Sequence, residues 1–466
     1  MSLAIASSDA EDEHEQYFTP PEISSFMASM FDFTGKDSIR ILDAGSGTGI
    51  LGIGATLKAY ESGVEKVHLV CFETEKKSLE LLTQFLVEIN RTHSNFTSEV
   101  HDRDFLGHYD VGYFDYVISN PPYSKISPDI VHGGDSPNLY SRFMEVSSKL
   151  LNSNGQMVFI VPRSFTNGVY FERFRSYIFQ KMSTTQIHIF HSRKDIFVQQ
   201  VLQEIMIISI IKAKSRKWIT VSSCTNRHDI EKRVNLKVPR KLIELGKGNT
   251  YRVAIPTSRK DVDLLKTFNS WKGRFNNYGI QISTGPVVGY RSKSFLLDKP
   301  KKIGSYPMIW PTHITLERVN WPKINSKKKQ YIDHSAIKIV VPNENYVIIK
   351  RFTTKEEAKR LFTCPYEKQS LPGEFIGLGN KLNFIHMGEE KMSFLLCKGI
   401  SFMLNTTPFD TYIRITNGQT QVNATDLVNI PIPDIQLIEA LGKCKSENND
   451  YTDAFQILLK KANEKN

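Results

Sequence analysis

Two short segments carry residue types suited to chemistry on a planar amine. Asn120-Pro121-Pro122-Tyr123 follows Val117-Ile118, the end of an apolar run that reads as a β-strand, and the two prolines bar any further ladder hydrogen bonds. An exocyclic amine on an aromatic ring, such as N6 of adenine, is a weak nucleophile because its lone pair is delocalised into the ring. Two acceptors set against its two hydrogens would draw the nitrogen towards tetrahedral geometry and release that pair for attack. The Asn120 side-chain oxygen and the Pro121 carbonyl supply two such acceptors, preorganised by the extended backbone that proline imposes. The Tyr123 ring adds a face on which a base can stack.

The second segment is Asp43-Ala-Gly45-Ser-Gly47-Thr-Gly49, placed where a strand turns into a helix. Glycines permit a tight turn and close backbone approach, and the helix start offers amide hydrogens to a ligand. Glu73, at the end of the next apolar run, can accept hydrogen bonds from ribose hydroxyls. Gly47-Thr-Gly49-Ile-Leu-Gly52 also satisfies the G-x-G-x-x-G spacing. The loop and Glu73 therefore suit a nicotinamide dinucleotide and S-adenosylmethionine equally, and only the amine clamp that follows selects the second.

These residues must be held by regular elements, and the hydrophobic periodicity supplies them. Residues 39–160 alternate strand-like apolar runs with helices of 3.6-residue spacing, the pattern of a mostly parallel sheet covered on both faces. The expected strands end at Gly45, Glu73, Phe105, Ser119 and Pro162, and the helix over 139–151 is expected to stop at Asn154-Gly155. Two later strands, around 186–190 and 204–214, complete the sheet, and the basic run at 212–217 marks a boundary. Beyond it the pattern loses its regularity and gains short strands, Pro/Gly turns and basic-aromatic clusters.

In that order the motifs resemble the amino-methylating DNA methyltransferases, specifically the gamma-class adenine-N6 enzymes of type II restriction–modification systems. Tyr17-Phe-Thr19-Pro20-Pro21 resembles the family's N-terminal cofactor motif, Asp43 to Gly49 its cofactor loop, and Glu73 its ribose acid. Asp104-Phe105 resembles the pair that meets the cofactor's adenine, and Asn120 to Tyr123 the catalytic motif. The segment Asp195-Ile-Phe197-Val-Gln-Gln-Val is similar to the late motif whose aromatic residue, here Phe197, stacks on the far side of the target base. The segments 282–291 and 417–427 look like framework pieces of target-recognition domains.

The resemblance implies a Rossmann-like α/β methyltransferase domain over 1–215, a connecting segment over 216–240, and a mixed DNA target-recognition domain over 241–466. It implies S-adenosylmethionine as cofactor, no metal, and a target adenine swung out of double-stranded DNA. A restriction endonuclease acting as a separate protein is the implied companion, with no membrane involved. The same motif also serves enzymes that methylate cytosine N4, protein glutamine amides or RNA amino groups, and a decayed, non-catalytic DNA-binding subunit would share the fold. Asn rather than Ser at 120 favours adenine over cytosine. The presence of every expected catalytic residue weighs against decay.

Charge agrees with a polyanionic partner. The 466 residues carry a net +11, yet residues 1–100 hold 7 Lys and Arg against 16 Asp and Glu, leaving 53 against 33 in the rest, a net of +20. Within that basic portion Lys327, Lys328, Lys329, Lys350 and Arg351 are candidate phosphate contacts. Five scattered cysteines without a CxxC pair argue against a disulfide framework or zinc site. The acidic first residues lack the basic-then-apolar pattern of a signal peptide, so a cytoplasmic, nucleoid-associated bacterial protein is expected.

Overall fold

The computed structural model describes residues 19–107, 110–124, 138–192, 196–197, 204–213, 216–246, 251–301, 304–353, 357–388, 390–446 and 450–463. Tyr17, Asp195 and residues 198–201 of the expected motifs lie outside the described residues. The chain forms two compact units that meet in sequence between Arg252 and Val253.

In the first unit α1 (Pro21–Ser29) precedes β1 (Ser38–Ala44), α2 (Ile50–Glu61), β2 (Lys66–Glu73), α3 (Lys76–Thr92), β3 (Phe96–Asp102) and β4 (Phe114–Ser119). Then come α4 (Leu139–Leu150), β5 (Leu151–Pro162), α5 (Glu172–Lys181), β6 (Ser183–Phe190), β7 (Ile205–Ile211), β8 (Trp218–Cys224) and β9 (Val234–Pro239). One nine-stranded sheet results, in the order β3-β2-β1-β4-β5-β7-β6-β8-β9. Strands β1 to β5 pair in parallel, whereas β7 runs antiparallel to both β5 and β6. This is the Rossmann-like α/β sheet expected from the sequence. Strands covered on both faces read as unbroken apolar runs, and every residue of β7 is buried. The chain reverses its direction of travel across the sheet between β1 and β4, and at such a switch point a crevice opens beyond the carboxyl ends of the strands.

Two expectations are corrected. The segment 216–240 is not a connection: β8 pairs in parallel with β6, and β9 pairs with β8, so the sheet runs on to Pro239. The charged run therefore falls between β7, which ends at Ile211, and β8, which starts at Trp218, two strands of one sheet, and marks no domain edge. Asn154-Gly155 does not stop a helix either. Helix α4 ends at Leu150, and Asn154, at φ 64°, sits inside β5. The β4–β5 register jumps there, from Phe114 opposite Leu151 to Tyr116 opposite Gln156.

The second unit holds two sheets. Strands Ile280–Thr284, Leu382–Met387, Tyr346–Lys350 and Thr363–Tyr366 form an antiparallel four-stranded sheet. Strands Leu296–Leu297, Tyr331–Asp333, Ser305–Ile309, Phe375–Leu378 and Val341–Pro342 form a mixed five-stranded one. Helix Phe394–Leu404 is tied to the first sheet by Thr363, whose hydroxyl donates to the Ser401 carbonyl at 2.9 Å. Among the described residues no helix is long and apolar enough to cross a membrane, and no cluster of His, Cys, Asp and Glu is arranged to hold a metal ion.

Candidate active site

The turn after β1 is built for close approach. Gly47 and Gly49 take φ values of 55° and 84°, a left-handed region that disfavours side chains, and Gly49 caps the start of α2. A Cβ on Gly47 would meet nothing within 4 Å, so the backbone there faces open space. Ser46 fastens the turn to β2, its amide donating to the Phe72 carbonyl at 2.8 Å and its hydroxyl to the same oxygen at 3.0 Å. Asp43, fully buried, accepts the Gly52 N–H at 2.7 Å through Oδ2. Its Oδ1 has no hydrogen-bond partner among the described residues. Burial pushes this carboxyl up to about 7, with the Gly52 N–H pulling it down and the Glu73 charge adding to the rise.

Glu73 closes the turn from the other side. Oε2 accepts the Gly47 N–H at 2.6 Å, while Oε1 accepts the amides of Thr74 and Glu75, each at 2.8 Å. Beyond β3, Asp104 Oδ1 accepts the Leu106 N–H at 2.9 Å. The buried Phe105 ring packs edge-on against Phe72, with centroids 5.5 Å apart, and tilted against Phe143 at 5.1 Å.

At the end of β4, Asn120 is held at both ends of its carboxamide. Nδ2 donates to Thr19 Oγ1 at 3.1 Å, and Oδ1 accepts the Tyr123 hydroxyl at 3.0 Å. Thr19 reaches this place because Pro20 caps α1, which packs on α2 through a hydrogen bond from Ser24 Oγ to the Ile50 carbonyl at 2.7 Å. The Tyr123 ring is only 4% exposed and meets Tyr140 edge-on, with centroids 6.3 Å apart.

These pieces surround a single cavity of about 340 Å³. Thr19, Gly45, Gly47, Glu73, Asp104, Phe105, Asn120, Pro121 and Pro122, all expected from sequence, line it. Pro20, Asp43, Gly49, Tyr123 and Phe197, also expected, are not among the lining residues, and the last two are each 4% exposed. The sequence reading missed Arg103, Leu139 and Phe143. A signal existed for the last two, because Leu139 and Phe143 stand four apart on α4 and so share a helix face.

The candidate phosphate contacts divide. Lys327 and Lys328 are exposed, with the Lys328 ammonium 4.9 Å from the Trp310 ring centroid. Lys329 donates to the Leu296 carbonyl at 3.1 Å. Lys350 lies 3.7 Å from the Phe362 ring centroid, and burial lowers its ammonium from the usual range. Arg351 donates to Asn423 Oδ1 at 3.0 Å and to the Asn380 carbonyl at 3.4 Å, which makes it part of the unit's framework. The exposed lysines belong to a loop closed at its neck by Gln330. Its side-chain oxygen accepts the Lys323 N–H at 2.6 Å and its side-chain nitrogen donates to the Lys323 carbonyl at 2.9 Å. Ile324, directly after Lys323, is 87% exposed.

Comparison with known proteins adds family relationships to this geometry. Residues 50–197 match the model of the Eco57I restriction-modification methylase. The chain is 31% identical over 472 residues to the type II methyltransferase M.BsuBI of Bacillus subtilis, spanning 95% of this chain and 92% of that one. It is 31% identical over 452 residues to the type II methyltransferase M.PstI of Providencia stuartii, spanning 92% and 88%. Among solved structures, the type IIL restriction-modification enzyme MmeI in complex with DNA shares the fold at a TM-score of 0.50 and 11% identity, over 87% of this chain and 64% of that one.

Proposed function

This chain belongs to the type II restriction–modification DNA methyltransferases, and from that premise we propose that it moves the methyl group of S-adenosylmethionine to N6 of adenine in double-stranded DNA. One observation carries the reading: the glycine turn with Glu73 and the Asn120-Pro121-Pro122 clamp line the same cavity, so a methyl donor and a planar amine would meet there.

The residues present fit the cofactor. The open space over Gly47 leaves room beside the turn, and Gly47, Glu73 and Asp104 give the cavity wall its polar groups. Glu73 would hold the ribose, Asp104 and Phe105 the adenine, and Thr19 with Pro20 would cover the near end. When bound, S-adenosylmethionine supplies a methyl group on a positively charged sulfur. Everything else falls to the protein. Asn120 Oδ1 and the Pro121 carbonyl accept the two amine hydrogens, and the nitrogen lone pair is thereby turned out of conjugation towards the donor.

Adenine N6 is out of reach while stacked in a duplex, so the base must leave the helix. Tyr123 and Phe197 are the proposed faces on either side of it. Because both rings are 4% exposed, the chain around them has to part as the base enters. A base lying on the Tyr123 ring with its amine towards the hydroxyl end would bring that amine to Asn120 Oδ1, 3.0 Å from the hydroxyl. The basic second unit is the proposed reader of sequence, and protection of DNA against a separately encoded restriction endonuclease is the proposed role.

The test is to incubate the full chain with S-adenosylmethionine carrying a labelled methyl group and plasmid DNA, then digest the DNA to nucleosides for mass spectrometry. Label in N6-methyladenine, lost in Asn120→Ala, is the expected result. Label in N4-methylcytosine, or in RNA or protein instead of DNA, overturns the proposal.

A further inference from the structure

We propose that Tyr290 and Ile324, presented by two cationic turns that share Trp310 as their support, are base-contacting residues that set the sequence preference of this chain. The proposal rests on the reading of the second unit as the part that reads duplex DNA, and goes beyond it by naming the readers.

The first turn spans 288–292 and is closed by the Ser292 N–H, which donates to the Val288 carbonyl at 2.9 Å. Ser292 is buried, while Tyr290 is 75% exposed with the Arg291 guanidinium 5.4 Å from its ring centroid. Arg291 and Lys293 are exposed as well. The second is the Gln330-closed loop, where Ile324 stands between Lys323 and the exposed Lys327 and Lys328. Buried Trp310 serves both. A Cβ on Gly289 would lie 3.6 Å from its ring, so the first turn runs directly against the indole. The indole N–H donates to the Lys329 carbonyl at 2.7 Å, and the Lys328 ammonium lies 4.9 Å from the ring centroid, so the second loop meets the same side chain. Lys329 Nζ adds a direct tie to the Leu296 carbonyl at 3.1 Å.

One exposed apolar side chain on a protein surface says little. Here two occupy braced turns, and neither 288–294 nor 321–329 contains an Asp or Glu. Cations with no carboxylate among them suit phosphates, and phosphate contacts position a duplex without reading it. Reading falls to groups that reach the bases. Tyr290 and Ile324 are suited to it, since apolar side chains distinguish base pairs by contacts such as that with the thymine methyl in the major groove. Because the backbone of each turn is held before DNA arrives, little ordering is left to oppose binding. Two readers on one support also keep a fixed spacing, and so address base pairs of one short site.

The experiment begins with methylation-sensitive sequencing of plasmid DNA treated with the full chain, which defines the methylated site. Competition between a duplex carrying that site and duplexes changed at one base pair then gives the discrimination ratio of parent and variants, each across a salt series. Tyr290→Ala and Ile324→Ala should each lower that ratio ~5–100-fold at one or two base-pair positions, the worth of a base contact, with the salt slope unchanged. Arg291→Ala should do the reverse, flattening the log–log slope by up to ~0.9 with the ratio unchanged. Trp310→Phe, which keeps a buried ring and removes the indole N–H, should blur discrimination at the positions of both Tyr290 and Ile324. A parent that methylates no defined DNA site overturns the reading of the second unit, and this proposal with it. A parent with a defined site whose discrimination survives both Tyr290→Ala and Ile324→Ala overturns this proposal alone and assigns the two side chains to a protein partner. A loss spread evenly over all duplexes also overturns it, because it marks positioning without readout.

Discussion

Glu73 Oε2 accepts the Gly47 N–H at 2.6 Å, so the acid proposed to hold a ribose also ties the glycine turn to the end of β2. Glu73→Ala should therefore weaken S-adenosylmethionine binding by about 1–3 kcal/mol, through lost acceptors for the ligand and a loosened turn. Calorimetry decides it. Unchanged affinity would mean that the ribose is held elsewhere.

Asp43 gives a pH signature. Its folded-state carboxyl is raised to about 7 by burial, well above its value in the unfolded chain. Between about pH 4 and 7 the folded protein holds a proton that the unfolded chain has released. Stability from this group is complete below that window and is lost as pH rises through it, at up to about 1.4 kcal/mol per pH unit. Asp43→Asn keeps an oxygen for the Gly52 N–H and removes the titration. The difference in unfolding free energy between parent and variant should move in the variant's favour from pH 4 to pH 8 in urea titrations. A flat difference would place the Asp43 pKa near its ordinary value.

Asn120→Ala should abolish nearly all transfer, by ~10²–10³-fold, while cofactor affinity stays within about a factor of two because the amide is directed at the amine. Quenched-flow methylation and calorimetry on one preparation separate the two. A variant that loses affinity and rate together would make Asn120 a cofactor ligand.

Phe197→Ala tests the proposed far face of the target base. Loss of stacking should weaken capture of the flipped base by roughly 1–3 kcal/mol, read as a smaller rise in fluorescence of 2-aminopurine at the target position. Since Phe197 is 4% exposed, the alternative outcome is lowered thermal stability with unchanged fluorescence, which would return it to the core.

The cations of the second unit should behave as two groups. Lys327→Ala with Lys328→Ala should flatten the salt dependence of DNA affinity, by up to ~0.9 in log–log slope for each phosphate contact removed, and leave stability nearly unchanged. Arg351→Ala should instead destabilise the unit by about 1–3 kcal/mol, because Asn423 and the Asn380 carbonyl lose their partner. Equal slopes for parent and double variant would exclude this loop from the DNA contact.

The sheet and cavity were legible because local signals and tertiary placement agree there. Apolar runs, the glycine turn, Glu73 and the Asn120 motif each sit at a strand end, and the switch between β1 and β4 brings those ends together. Legibility failed where one signal has two physical causes. A charged run such as 212–217 suits a linker or a connection between strands of one sheet, and β9 hides among polar residues because an edge strand is largely solvated. Asn154-Gly155 suits a helix end or a bulge, since both need a residue that tolerates positive φ. The framework contact of Arg351 was hidden because its partner Asn423 lies 72 residues away in sequence. The Thr19–Asn120 contact was hidden in the same way, across 101 residues.

The Gln330-closed loop has an evolutionary consequence. Both polar ends of one side chain hold the backbone of Lys323, and Trp310 Nε1 donates to the Lys329 carbonyl at 2.7 Å, so the neck is defined without help from the tip. Substitutions at Ile324 and Lys327 change what the loop presents while the unit's core stays intact, each within about 0.5 kcal/mol of neutral, whereas Asn325, at φ 58°, favours residues that tolerate a left-handed backbone. Such a segment can diversify by point mutation or by exchange as a cassette between relatives. If it lies against DNA, sequence preference can drift there without any change to the residues that line the cavity of the first unit.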